Sequence, residues 1–396
     1  MKGSVIRIFL RILIFILLLS SQSIAFAQDT TEPFLPVYPH SYMGLPICPP
    51  GIYLAPPVDC LPYGPSAKLT EWAQKGLILP PRPLPVESPE SNLVVLNRQY
   101  AKLNILPGTV AAYYPNIDSA ALGVGALKEL PPGETLYITY ENIAYYQQNP
   151  YLQNERKEWI RASPTTYSEF QGLLFKRTPI NQFGWIIDPT NPVREPSIFA
   201  QVANHPLARE TVVQVYDQVD AEGTTWYMIG FGQWVDRNKI RVVTPNPVPP
   251  DGVENGRWIE VNLYQQTLAV YENNQLIFAT LISTGYDPYY TQPGLFHVRE
   301  KKEYETMEGA FETGKVDYYL LEDVPWTMYY DGPRALHGAY WRSKFGSELS
   351  HGCINLSVGD SHWLYDWADI GDYVYVWDPS GLTPTDPSFY EGSAAF

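Results

Sequence analysis

The sequence predicts a mainly β, multidomain protein, and three observations carry that expectation. From about residue 94 onward, short runs rich in Val, Ile, Tyr and Trp are separated by turns such as Pro107-Gly108 and Pro132-Gly133. No long stretch of 3.6-residue apolar period interrupts them. At 396 residues, 45% hydrophobic and 14% aromatic, the chain can bury more than one core.

In chain order, Lys2, Arg7 and Arg11 precede or enter an apolar run over residues 12–19, and Ala25-Phe26-Ala27 then supplies small residues at a cleavage position. We expect a secretory signal peptide over residues 1–27. The alternative, an uncleaved anchor, has a run short of the ~20 residues that a helical span needs. Removing those three cations with no acidic residue takes the net charge from −15 to −18. A chain so acidic is repelled by phosphate backbones, which argues against nucleic acid as a partner.

Residues 28–93 form a Pro-rich arm: residues 28–90 hold 15 of the 37 prolines, too many for helix interiors or central strands. A short amphipathic helix is expected around Lys68 to Lys75. The chain has three cysteines, and Cys48 and Cys60 are close enough in this arm to close a local disulfide outside the cell. Cys353 is then left over, either reactive or buried and inert.

Residues 94–165 and 166–244 read as two small β modules. In the second, Thr211-Val212-Val213-Gln214-Val215-Tyr216, Thr225-Trp226-Tyr227-Met228-Ile229 and Gln233-Trp234-Val235 are three short strands. Their rhythm resembles that of bacterial SH3-like β-barrel modules. In the first, Tyr137-Ile138-Thr139-Tyr140 and Glu158-Trp159-Ile160-Arg161 echo it. The resemblance implies cell-wall binding; a rigid spacer that keeps the next domain at a distance is the alternative.

Residues 245–256, with Pro245, Pro247, Pro249 and Pro250, read as a stiff linker. The domain after it, residues 257–378, begins with strands expected at Trp258 to Leu263, Thr267 to Tyr271, Leu276 to Ile282 and Leu295 to Val298, partners in an antiparallel sheet with one buried face. His297 is expected to be a packing residue. The polar segment between Arg299 and Asp323 could be a flap over a site, with Tyr318 a candidate substrate contact, or a plain surface hairpin. Ser357-x-x-Asp360 opens a short helix that ends at Ile370-Gly371-Asp372, Tyr373 to Trp377 is a closing strand, and residues 379–396 are a tail.

The chemistry gathers in Ser350-His351-Gly352-Cys353-Ile354-Asn355 and in His337-Gly338 upstream. A cysteine attacks carbonyls as the thiolate, which an imidazole can generate. His337 is the better candidate for that base. His351, two residues from the thiol, is expected to shape the loop. Gly338 and Gly352 allow close backbone approach, and N–H groups around Gly352-Cys353 could stabilise an oxyanion. No carboxylate is placed by sequence to orient His337.

Together these residues resemble the signature of L,D-transpeptidases of the YkuD family, as do the Ser-Thr-Gly and Pro-Gly-x-Phe turns. The resemblance implies a YkuD-like β-sandwich with a short helix, Cys353 as nucleophile and His337 as base, the latter oriented by the Gly338 carbonyl, with Ser350, His351, Gly352 and Asn355 in support. It implies peptidoglycan stem peptides as partner, with 3→3 cross-linking after loss of a terminal D-alanine, in an extracytoplasmic compartment, wall-associated or periplasmic, with membrane contact only through the signal peptide. No cofactor is implied. Only 12 residues separate His337 from Ser350, and Tyr340 and Trp341 there are candidates for the acceptor side. Three rivals stay open: hydrolysis of the same stems, a non-catalytic wall-binding protein, and a zinc site using His337, His351, Cys353 and His362, whose spacing fits no common zinc pattern.

Overall fold

The computed structural model describes residues 45–390 other than 79, 107–108, 134, 166, 168 and 311–317. The signal peptide expected over residues 1–27 lies outside the described residues, as do the start of the arm and the end of the tail. Among the described residues, no helix is long and apolar enough to cross a membrane. The chain divides into two compact units, one of Met1–Cys48 with Pro57–Leu61, the other of Pro49–Pro56 with Pro62–Phe396. In the first, Cys48 is disulfide-bonded to Cys60, and its N–H donates to the Leu61 carbonyl. Cys353 is left as a free thiol.

The second unit is mainly β. Its first helix, Pro65–Gln74, overlaps the one expected and carries Pro in its first turn, where a missing N–H is harmless. Strand β1 is Val86–Glu87; β2 (Gln99–Leu103), β3 (Ala112–Tyr113), β4 (Lys128–Glu129), β5 (Thr135–Tyr140), β6 (Asn142–Tyr146), β7 (Asn149–Gln153) and β8 (Trp159–Pro164) follow. Then come β9 (Leu173–Phe175), β10 (Gln182–Ile186), β11 (Val212–Val215), β12 (Asp217–Ala221), β13 (Thr224–Gly230), β14 (Gln233–Asp236) and β15 (Ile240–Val243). The C-terminal strands are β16 (Trp258–Asn262), β17 (Thr267–Glu272), β18 (Gln275–Leu281), β19 (Gly294–His297), β20 (Glu300–Gly309), β21 (Tyr319–Asp331), β22 (Arg334–Gly338), β23 (Ile354–Leu356) and β24 (Tyr373–Trp377).

One sheet has the order β1-β9-β18-β17-β16-β24-β19. Strand β16 pairs parallel with β24, Trp258 opposite Tyr373, and antiparallel with β17. A second sheet runs β23-β22-β21-β5-β2-β8-β7-β6, with β20 also on β21. The two sheets share a core. Ile259, Val261, Leu268, Val270 and Phe278 of the first meet Met328, Tyr330, Leu336, Ile354 and Leu356 of the second, with Leu364 and Ala368 from the helix segment.

That helix, Val358–Trp367, starts where Ser357 and Asp360 suggested, with the Ser357 side chain accepting the Asp360 N–H. Asp360 also accepts from Thr280 Oγ1 (2.6 Å) and from the Gly172 N–H (2.8 Å), tying the helix to β18 and to the stretch before β9.

Three expectations are corrected. The modules are not spacers. Phe183, Trp185, Val243 and Val253 pack into one cluster with Trp258, Ala269, Tyr271 and Leu281, because β17 and β18 present apolar residues on both faces and the second face needs a cover. The segment 245–256 lies along the domain, with the Asn246 N–H on Tyr271 Oη at 3.0 Å and Val253 buried. The first module is continuous with the C-terminal domain, since β5 pairs parallel with β21, Thr135 opposite Tyr319. His297 is exposed, its Nδ1 2.9 Å from the Gly371 carbonyl, because β19 is an edge strand with one open face.

Candidate active site

Strand β22 ends at His337-Gly338, and β23 begins directly after Cys353. They pair in parallel with His337 opposite Asn355. Residues in register on neighbouring strands project to the same face, and so do residues two apart on one strand. Cys353 lies in the bend one residue before β23, where the backbone of Ala335, two residues before His337 on β22, hydrogen-bonds its thiol. The loop between them is held from below by the Ser283-Thr284-Gly285 turn. Ser283 and Asn355 exchange backbone hydrogen bonds (3.0 and 2.9 Å), and the Leu349 and Ser350 N–H groups both donate to the Thr284 carbonyl (2.9 Å each). Gly285 is required there: a Cβ would lie 2.0 Å from the Tyr289 carbonyl oxygen and 2.9 Å from Gly352 Cα.

His337 is 2% exposed, and its Nδ1 lies 3.4 Å from the Gly338 carbonyl. A carbonyl partner requires the proton on Nδ1, which leaves the Nε2 lone pair to act as base. Burial pushes the His337 pKa down to about 4, against the opposing pull of that carbonyl and with a smaller push from the Arg342 cation. Burial likewise raises Cys353 above its ordinary value, opposed by a backbone hydrogen bond from Ala335 and by the Arg334 charge. At neutral pH both groups rest uncharged.

Ser350 is buried and acts inside the loop. Its Oγ donates to the Cys353 carbonyl (2.5 Å) and accepts the Gly352 N–H (3.2 Å). The Gly352 N–H, expected to face an oxyanion, is thus taken by a neighbour. Gly352 has φ +110°, and a Cβ on it would lie 3.2 Å from Arg334 Nε. Gly338 is also packed closely, since a Cβ there would lie 2.6 Å from Ser361 Oγ. Asn355 is buried with its Oδ1 unpaired. His351 is exposed, with Nε2 3.3 Å from Tyr286 Oη and its ring 4.8 Å from that of Tyr289.

Two of the three expected substrate contacts lie elsewhere. Tyr318 is buried among Leu136, Ile138 and Leu320, its hydroxyl on Glu308 at 2.8 Å. Strand neighbours face opposite ways, so Tyr319 takes the site side, its ring parallel to His351 at 6.4 Å. Tyr340 is fully buried, stacked on Tyr100 at 3.6 Å with its hydroxyl on the Glu322 carbonyl. Trp341 does stand near the site, 5.6 Å ring to ring from His337. His362 is engaged elsewhere, with Nδ1 3.0 Å from the Leu93 carbonyl and its ring stacked on Trp326 at 3.8 Å. Among the described residues, no group of three or more His, Cys, Asp or Glu could hold a metal ion.

Sequence reasoning missed three participants. Thr291 Oγ1 donates to the Gly352 carbonyl and accepts the Gly285 N–H, both at 2.9 Å, which locks the loop to the turn. Arg334 is buried, pairs with Asp331 (2.8 Å) and donates to the Tyr390 carbonyl in the tail (3.2 Å). Arg342 follows Trp341. Alternation along β22 could have singled out Arg334 as a cation in an otherwise apolar strand, whereas nothing local marked Thr291.

Comparison with known proteins gives this geometry a context. Residues 256–376 match the family model of the L,D-transpeptidase catalytic domain, YkuD, under a third of the chain. The chain is 30% identical over 128 residues to the putative L,D-transpeptidase YciB of Bacillus subtilis, covering 30% of this chain and 63% of that protein. It is 27% identical over 171 residues to L,D-transpeptidase 1 of Mycobacterium tuberculosis, covering 37% of this chain and 66% of that one. The chain thus spans just under two thirds of each of these relatives. Among solved structures, the catalytic domain of the Enterococcus faecium L,D-transpeptidase is similar at 28% identity with a TM-score of 0.28, over 32% of this chain and 100% of that one. Residues 256–376 are thus similar, at the level of family, to an L,D-transpeptidase catalytic domain.

Proposed function

We propose that the protein is an exported peptidoglycan L,D-transpeptidase that forms an acyl-enzyme on Cys353 and transfers the acyl group to an amine, in 3→3 cross-linking. The observation that supports this reading is that β22 carries a buried neutral imidazole, His337, in parallel pairing with the strand that a free thiol, Cys353, directly precedes, inside the matched domain. The Cys48–Cys60 disulfide supports an oxidising compartment.

As the thiol sulfur attacks the carbonyl before the terminal D-alanine of a tetrapeptide stem, its proton passes to His337 Nε2. The tetrahedral intermediate collapses, the C–N bond breaks, and the same proton leaves with the D-alanine amine. An amine from a second stem then attacks the thioester and gives its proton to His337. The new amide leaves as Cys353 regains a proton. Water in place of the amine gives hydrolysis. In this reading Tyr319, Trp341 and His351 line the approach, and the SH3-like units are wall-binding elements.

Mass spectrometry of the intact protein with a carbapenem, which acylates this family, tests the nucleophile. We expect one adduct, absent in Cys353→Ala; an adduct that survives the substitution refutes the assignment. Product analysis with purified stem peptides then separates cross-linked dimer from tripeptide.

A further inference from the structure

Arg342 is a charged group beside the site for which the steps above have no use. It sits in the turn after β22, its backbone N–H donating to the Ala339 carbonyl at 3.1 Å and its Nη2 to the Leu349 carbonyl. Its Nε is buried without a hydrogen-bond partner. Its titratable neighbours are the neutral hydroxyls of Tyr137 and Tyr286, and among the described residues no carboxylate acts on the guanidinium. Arg342 acts in turn on His337. A half-buried cation without a counter-ion is costly, and this chain has 42 acidic residues from which to supply one.

The wall around it is shared with the base. Trp341 stands 5.6 Å from the His337 ring and 6.5 Å from Tyr137 of β5, so the first N-terminal module contributes a side chain here. Lys102 lies over Tyr137 at 5.8 Å, which adds a second cation on that side. Such a wall suits an anion.

We propose that Arg342 is the counter-ion for the carboxylate of the amino acid that leaves the donor stem, which makes it a specificity-determining residue for stems with a free C-terminus. The inference rests on the acyl-transfer reading. There His337 gives its proton to the amine of the departing residue, whose carboxylate is one carbon away. A group that recognises this carboxylate must stand beside the base, and a guanidinium offers it a delocalised positive charge and a planar fork of N–H donors.

The test compares a tetrapeptide stem ending in a carboxylate with the same stem ending in a carboxamide, both assayed for release of the terminal residue by the full chain. The wild type is expected to favour the carboxylate by ~10–100-fold in kcat/KM, the range a lost ionic contact gives. Arg342→Gln is expected to lose that preference by slowing only the carboxylate substrate, and Arg342→Lys to keep part of it. An equal loss on both substrates means that Arg342 only braces the loop through Leu349, and overturns the proposal. So does a wild type that treats the two alike, a result that needs no variant and leaves the acyl-transfer reading intact. Turnover of neither stem, with Cys353 still alkylated by iodoacetamide, overturns the acyl-transfer reading and the Arg342 proposal with it.

Discussion

Alkylation of Cys353 by iodoacetamide across pH reads out whether the resting pair is neutral. The ordinary thiol value is 9.0 and Cys353 lies above it, while His337 is held at about 4. At pH 7 the imidazole thus lies about three pH units from protonation, about 4 kcal/mol at ~1.4 kcal/mol each, so ~1 molecule in 10³ carries the imidazolium that an ion pair requires. The sign follows from burial, which disfavours the charged form of both groups. The alkylation rate is expected to be low at pH 7 and to climb about tenfold per pH unit to pH 9 or beyond. His337→Gln should change it by less than about threefold at pH 8, while acyl transfer falls by ~10² or more. A plateau in alkylation between pH 5 and 8, or a tenfold drop at pH 6 in His337→Gln, would show a preformed thiolate–imidazolium pair and refute the argument.

The other predictions concern the scaffold and the acid limb. Gly285→Ala puts a Cβ against backbone atoms of Tyr289 and Gly352, which cannot swing aside as a side chain would, so activity should fall at least tenfold with stability reduced by ~1–3 kcal/mol, read by steady-state kinetics and thermal melting. Arg334→Met leaves Asp331 without its partner and the Tyr390 carbonyl without its donor; urea titration should show a loss of ~3 kcal/mol, and a variant ending at Thr383 a smaller one. Because His337 titrates near 4, kcat/KM should lose no activity to its protonation between pH 8 and 5.5; an acid limb centred at 6.5, the ordinary imidazole value, would contradict its burial.

Much of the C-terminal domain was legible. The strands at Trp258–Asn262, Thr267–Glu272, Gln275–Leu281 and Tyr373–Trp377 lie where the β-rich runs put them, and the helix begins at its Ser357 cap. Those signals are local: turn residues, β-branched and aromatic runs, and an N-cap are set by a few neighbours in sequence. The three module strands from Thr211 to Val235 were legible for the same reason. The parallel pairing of β16 with β24 was not, because its partners are more than 100 residues apart and pairing direction leaves no mark on composition.

For the candidate site the division is similar. Sequence alone determined which thiol is free, since Cys48 and Cys60 pair within the arm, and it singled out His337 and the residues around Cys353. Only the tertiary structure decided which way each side chain faces. Strand neighbours point to opposite faces, so a one-residue difference exchanges Tyr318 for Tyr319, and the sequence of a two-sided hairpin does not specify the register. Burial decided the rest: it made Tyr340 a core residue, keeps His337 and Cys353 uncharged, and gathers Thr291, Arg334 and Arg342 around a loop whose own sequence names none of them.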